Sequence, residues 1–312
     1  SGADRWTAEG WRQACVAAVC VDRLEAQEWL AEVDRPRGLD PELYLQFRRP
    51  EPMPARFLIQ QGSRVVPHLL ERWLWTFGAY VFTPGREDVE RDALRDAILF
   101  VPARLEDARA AYFFDEVMRA SQVHPQWRAS AAENVGRVLQ DAALESLRTL
   151  LDHELPPVLE AGVVRGLGHT YSEAGLNAVL RILERASQPS SDAEQAAQQA
   201  TLRNACLQAL ATLGNWTAWE MRKPEEQALQ ARVRERVALR LVRMLGIERP
   251  VAEADAIVIA LGTTAWGPSL PLLESLAADG ARPEFVRGMA RLAVDVVARS
   301  IARREARVGR RD

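Results

Sequence analysis

The sequence predicts an all-α chain built of stacked helix pairs, and three observations carry that prediction. Apolar residues recur at helical spacing ahead of three glycines: Ala131, Ala132 and Val135 before Gly136, Val163, Val164 and Leu167 before Gly168, and Ile257, Val258 and Leu261 before Gly262. A second stripe opens at one fixed distance after each glycine, with Leu144 and Leu147, Leu176 and Val179, and Leu270 and Leu273. The glycines also repeat, for Gly136 to Gly168 and Gly214 to Gly246 are both 32 residues apart. A constant period of that length marks a repeat architecture. One unit is then helix, glycine turn, helix, with the glycine expected to take a left-handed backbone just past a helix end.

In chain order, residues 1–120 form a helical N-terminal region. Residues 7–34 read as one long helix or two short ones, with Thr7 as N-cap, Glu9 in the first turn, and Pro36 and Gly38 as stop signals. The run 48–56 holds Pro50, Pro52 and Pro54, cannot be helix interior, and forms a linker or irregular corner. Over 61–80 the pattern is that of a degenerate repeat helix, with Leu69, Leu70, Trp73, Leu74 and Phe77 on one face. Helices at about 86–100 and 103–121 follow. This region is either a set of diverged repeats or a cap on the end of an array.

Residues 121–312 carry the repeats. Gly168 to Gly214 is 46 residues, 14 more than the period, and the polar stretch 187–200 is 14 residues long. A loop or helix extension inserted there accounts for the surplus. Ser172, followed by Glu173, reads as the N-cap of the next helix. Gly246 and Gly262 lie 16 apart and cannot both end equivalent helices, so Gly262, whose flanks match better, is kept as the mark.

The stretch His124-Pro-Gln-Trp-Arg128-Ala-Ser-Ala-Ala-Glu-Asn-Val-Gly136 resembles the second-helix pattern of the short bacterial HEAT repeats of phycobilisome-lyase type. The match is good over about 124–183 and fair over 201–278. The resemblance implies a right-handed α-solenoid. The family's arginine stands at Arg128, whereas Glu160, Cys206 and Ala254 fill the equivalent places, so a continuous arginine ladder is not expected. HEAT repeats serve scaffolds, adaptors, DNA-repair proteins and a few enzymes, so the resemblance speaks for fold far more than for function.

Composition narrows the function classes. The hydrophobic share is 48%, charged residues make 27%, and the net charge is −3, which is that of a folding chain with no overall attraction to nucleic acid or anionic lipid. No apolar run is long enough for a membrane span and the N-terminus carries no export pattern. Three scattered cysteines, Cys15, Cys20 and Cys206, make no disulfide framework and point to the cytoplasm. His68, His124, His153 and His169 show no zinc spacing, and the lone His153-Glu154 reads as a surface turn. Gly-x-Ser-x-Gly is absent, and Gly162, Gly166 and Gly168 lie inside a helical repeat rather than after a strand. The expectation is therefore a protein without catalytic group, cofactor or metal.

Binding candidates come from helical phase. Trp75 falls about 200° from Trp73, and Tyr112 lies off the stripe of Phe113, Phe114, Val117 and Met118. Trp216 and Trp219 flank the turn after Gly214. Arg232, Arg236, Arg240 and Arg243 recur at spacings of 4, 4 and 3 and line one helix face, with Glu225, Glu226 and Glu235 as the nearby acids in sequence. The acidic segment 7–34 and the basic tail 299–312 lie at opposite ends of the chain. The leading expectation is a scaffold or adaptor that binds a protein or peptide. Two alternatives are a nucleic-acid binder resembling the HEAT-like alkylpurine DNA glycosylases, disfavoured by charge, and an enzyme of the phycobilisome-lyase type.

Overall fold

A computed structural model describes residues 62–67, 69, 70, 99, 101–121, 123–220 and 226–308. Residues 7–34 and 48–56, Trp73 and Trp75 lie outside the described residues. Among those described, all regular structure is helical: after a 3-10 turn at Gly62–Val65 come α1 (Ala110–Arg119), α2 (Pro125–Leu139), α3 (Leu144–Leu151), α4 (Pro157–Gly168), α5 (Glu173–Ala186), α6 (Ala193–Leu213), α7 (Trp216–Glu220), α8 (Gln227–Leu245), α9 (Val251–Thr264), α10 (Ser269–Ala278) and α11 (Glu284–Val308). The chain divides into two compact units, one ending at Leu139 and the other beginning at Gln140.

In the first unit α1 packs along α2. The stripe expected from phase is the one buried, with Phe113, Phe114, Val117 and Met118 inside. The two phenylalanine rings meet tilted, 5.3 Å between centroids. Asn134, buried on α2, donates to the Leu99 carbonyl at 2.8 Å and so satisfies its own amide.

In the second unit α4, α6, α9 and α11 pack one on the next in chain order, and α5, α8 and α10 do likewise. Across the two units, the nine residues ahead of Gly136, Gly168 and Gly262 are all buried, as are Leu147, Leu176, Val179 and Leu273 after them, whereas Leu144 and Leu270 are half-buried. Burial of such stripes, at roughly 25 cal/mol per Å² of apolar surface, is what holds successive helices together.

The glycines have a different role from the one expected. None of Gly136, Gly168, Gly214 and Gly262 takes a positive φ. Left-handed backbone falls instead on Tyr171 and Ala265, each three residues beyond its glycine. What these positions require is smallness. A Cβ on Gly168 would stand 2.7 Å from the Ala209 Cα on α6, and one on Gly262 would stand 2.5 Å from the Val296 Cγ1 on α11. The helices touch there, backbone to neighbour, with no room for a methyl group. At Gly246 the nearest atom would be 3.4 Å away, so this glycine marks no such contact. Two residues after Gly168 and after Gly262 a threonine turns back, Thr170 Oγ1 donating to the Leu167 carbonyl at 2.8 Å and Thr264 Oγ1 to the Leu261 carbonyl at 2.7 Å.

The insertion resolves into both of its alternatives. Residues 187–192 are an irregular turn, and Asp192 then caps α6, its Oδ1 accepting from the Glu194 N–H at 2.8 Å. The remaining eight residues are exposed or half-buried helix, a two-turn extension of α6. Ser172 caps α5 as expected, its Oγ accepting from the Gly175 N–H at 3.0 Å.

Candidate functional site

Arginines close the C-terminal ends of several helices, where the last carbonyls lack intrahelical donors. Arg128 Nε donates to the Met118 carbonyl at 3.0 Å, Arg203 Nη1 to Ala186 at 2.9 Å, Arg249 Nε to Met244 at 3.0 Å, and the buried Arg234 through Nε to Thr264 at 2.8 Å and Nη2 to Ala265 at 2.9 Å. The places equivalent to Arg128 hold no arginine, as the sequence states, yet Arg203 and Arg249 reach the same kind of carbonyl from other positions. Glu253 then joins two of these, meeting Arg203 Nε at 3.3 Å and pairing with Arg249.

The row on α8 is answered by a neighbouring helix. Arg232 Nε pairs with Glu173 Oε1 at 2.8 Å, Arg236 Nη2 donates to Asn177 Oδ1 at 2.6 Å, and Arg240 Nη1 lies 3.9 Å from Glu184 Oε1. Partners and arginines ascend together, so α5 and α8 run parallel with a polar seam between them. The hydrogen bond and charge of Arg232 hold the Glu173 carboxyl below its ordinary pKa. Arg243 is exposed and, among the described residues, has neither ion pair nor hydrogen bond. The acids that answer this row come from α5, a helix about 60 residues earlier, and not from Glu226 or Glu235 nearby in sequence.

A broad cleft lies where this row ends. It holds about 620 Å³ and is walled on one side by the insertion, through Gln188, Pro189 and Ser190, and on the other by Arg240, Arg243 and Ile247 at the end of α8. Ile247 is 60% exposed. Arg203, Arg249 and Glu253 form its base, fixed to one another and to helix ends. A smaller cleft of about 330 Å³ opens between α3, α4 and α5, lined by Arg148, Asp152, Glu160, Arg181 and Arg185, with Arg185 paired to Glu160. Sequence reasoning named Arg240 and Arg243 but missed Ile247, Pro189 and Arg203. The sequence carries no signal for them, because Ile247 and Pro189 lie 58 residues apart and only the fold brings them to one cleft.

The aromatic candidates separate. Tyr112 is half-buried, and its hydroxyl donates to Glu116 Oε1 on its own helix at 2.8 Å. Trp216 is only 8% exposed and lies under the Arg307 guanidinium, 5.9 Å from the ring centroid, so it is held inside the second unit. Trp219 stands in α7, and its side chain, like Trp75, falls outside the described set.

Cys206 is fully buried on α6, and burial, with the nearby Glu160 carboxylate, pushes its thiol up to about 12. His153 and Glu154 are exposed in the turn after α3. Among the described residues no group of three or more His, Cys, Asp or Glu side chains is placed to hold a metal ion, and no helix is long and apolar enough to cross a membrane. No family model matches this sequence, and no curated protein matches it.

Proposed function

We propose that the chain is a non-enzymatic adaptor, an α-solenoid of HEAT-like repeats that binds a protein or peptide partner in the cytoplasm. The observation that supports it best is a helix end that recurs. Gly168 and Gly262 each meet the next helix of the stack too closely for a side chain, and Thr170 and Thr264, two residues on, each donate to the leucine carbonyl three residues earlier. Units joined by one repeated contact extend a surface rather than close a pocket, and extended surfaces suit many shallow contacts with a polypeptide.

The test is affinity capture of the tagged full chain from native lysate, with and without nuclease treatment, with mass-spectrometric identification and reconstitution from purified components. The adaptor reading expects a protein that rebinds the purified chain at a fixed ratio. Retention of nucleic acid alone, or turnover of a small molecule by the purified chain, overturns it.

A further inference from the structure

We propose that the cleft between the insertion and the end of α8 is a docking groove for a short peptide segment that sets a carboxylate beside an apolar side chain. This deepens the adaptor reading and rests on it.

Four features of the cleft carry the inference. Its base is preorganised: Arg203 and Arg249 each donate to the final turn of a helix, at Ala186 and Met244, and both pair with the single carboxylate of Glu253. A wall already held in place loses little freedom when a ligand arrives. The two arginines above it are not satisfied in this way. Arg243 is exposed and has no partner among the described residues, while the Arg240 Nε is buried without a hydrogen-bond partner and its one ion pair, to Glu184, is long at 3.9 Å. They stand three residues apart on one helix face, where a carboxylate can take hydrogen bonds from both guanidinium groups.

The balance of charge points the same way. Four arginines line the cleft against Glu248 and Glu253, a local positive excess on a chain whose net charge is −3. Ile247, 60% exposed, lines the same cleft, as do Pro189 and Pro250. An apolar ligand side chain laid on Ile247 would take that surface out of water. At about 620 Å³ the space exceeds what a single inorganic anion needs and falls within the range of ligand pockets. Single-stranded nucleic acid would need aromatic platforms for its bases, and among the described residues no aromatic side chain lines this cleft.

The test is selection of a random dodecapeptide phage library on the immobilised full chain, followed by fluorescence polarisation of the enriched peptides on wild type, Arg243→Glu, Arg240→Glu and Ile247→Ser. The expected pool is enriched in Asp or Glu next to Leu, Ile, Val or Phe. Its members should lose roughly tenfold or more in affinity on Arg243→Glu and on Ile247→Ser. Both residues are exposed, so melting temperature should not move, and Arg243→Glu decides the matter if Arg240→Glu perturbs folding. A pool without acidic residues, a pool indifferent to Arg243→Glu, or no enrichment overturns the groove. So does equal competition by a single-stranded oligonucleotide. A captured protein that binds the Arg243→Glu variant as well as wild type would remove the groove while leaving the adaptor reading standing.

Discussion

Gly168 and Gly246 look alike in sequence, each near the end of a helix, but only one meets a neighbour. Gly168→Ala drives a methyl group against the α6 backbone at Ala209, where no side chain can rotate away. It should cost about 1–3 kcal/mol. Gly246→Ala has ordinary contact distance available and a negative φ, so it should leave stability within about 0.5 kcal/mol of wild type. Chemical denaturation of both variants checks the contrast, and equal losses would contradict it. Cys206 makes a second residue-scale case. Its buried thiol, raised to about 12, should resist a thiol-modifying reagent at pH 8 until the protein unfolds, so labelling should follow the unfolding transition. Asp107 gives a pH dependence. Burial pushes its carboxyl up, but hydrogen bonds from the Arg109 side chain and backbone more than reverse that, leaving it below the ordinary value. The stability it contributes is therefore complete above the ordinary carboxylate pKa of about 3.9 and is lost as the pH falls through the lower folded value. The stability gap between wild type and Asp107→Asn, read by urea unfolding, should be widest near neutrality and shrink in acid.

At the scale of the element, helix ends decide more than helix middles. α9 ends at Thr264, and Arg234, buried on α8, supplies donors to the carbonyls of both Thr264 and Ala265. Removing the guanidinium strands those acceptors in the interior. Arg234→Ala should cost on the order of 3 kcal/mol, and Arg234→Lys should recover only part, because an ammonium cannot reach two carbonyls with a planar fork. Thermal melting of the pair checks this, and a near-neutral Arg234→Ala would show that the ends are satisfied otherwise. The start of α6 depends on a single side chain, so Asp192→Ala should cost about 1 kcal/mol and fray the exposed extension, seen as lost amide protection over 193–200. The α5 and α8 pairing was not legible in sequence for a physical reason. Arg232 and Glu173 are 59 residues apart, and helical phase says which face a residue occupies but not which helix faces it.

For the whole molecule, the fold class was legible because helical periodicity is a local property. Every stripe residue ahead of Gly136, Gly168 and Gly262 is core, and the odd spacing between Gly168 and Gly214 is taken up by the extra turn and helix extension at 187–200. The candidate site was legible only as four arginines in a row. Their split into a seam at Arg232, Arg236 and Arg240 and an exposed end at Arg243 follows from where α5 lies. Shortening the insertion removes one wall of the cleft without touching the stripes. Replacing 188–190 by a shorter turn should therefore spare cooperative unfolding, because loop length changes cost little entropy, while weakening any ligand of the cleft.

By itself, then, the sequence determined the all-α class, the buried stripe ahead of Gly136, Gly168 and Gly262 and the cap at Ser172, because each depends on residues within a few turns of one another. Tertiary structure alone decided what the glycines are for, which arginines close helix ends, and where a cleft opens. Gly168 needs no side chain because Ala209 arrives 41 residues later, and Arg243 is left exposed because α5 supplies no acid opposite it. Such outcomes are set by how helices stack, and a distance between stacked helices is not encoded in the spacing of residues along either one.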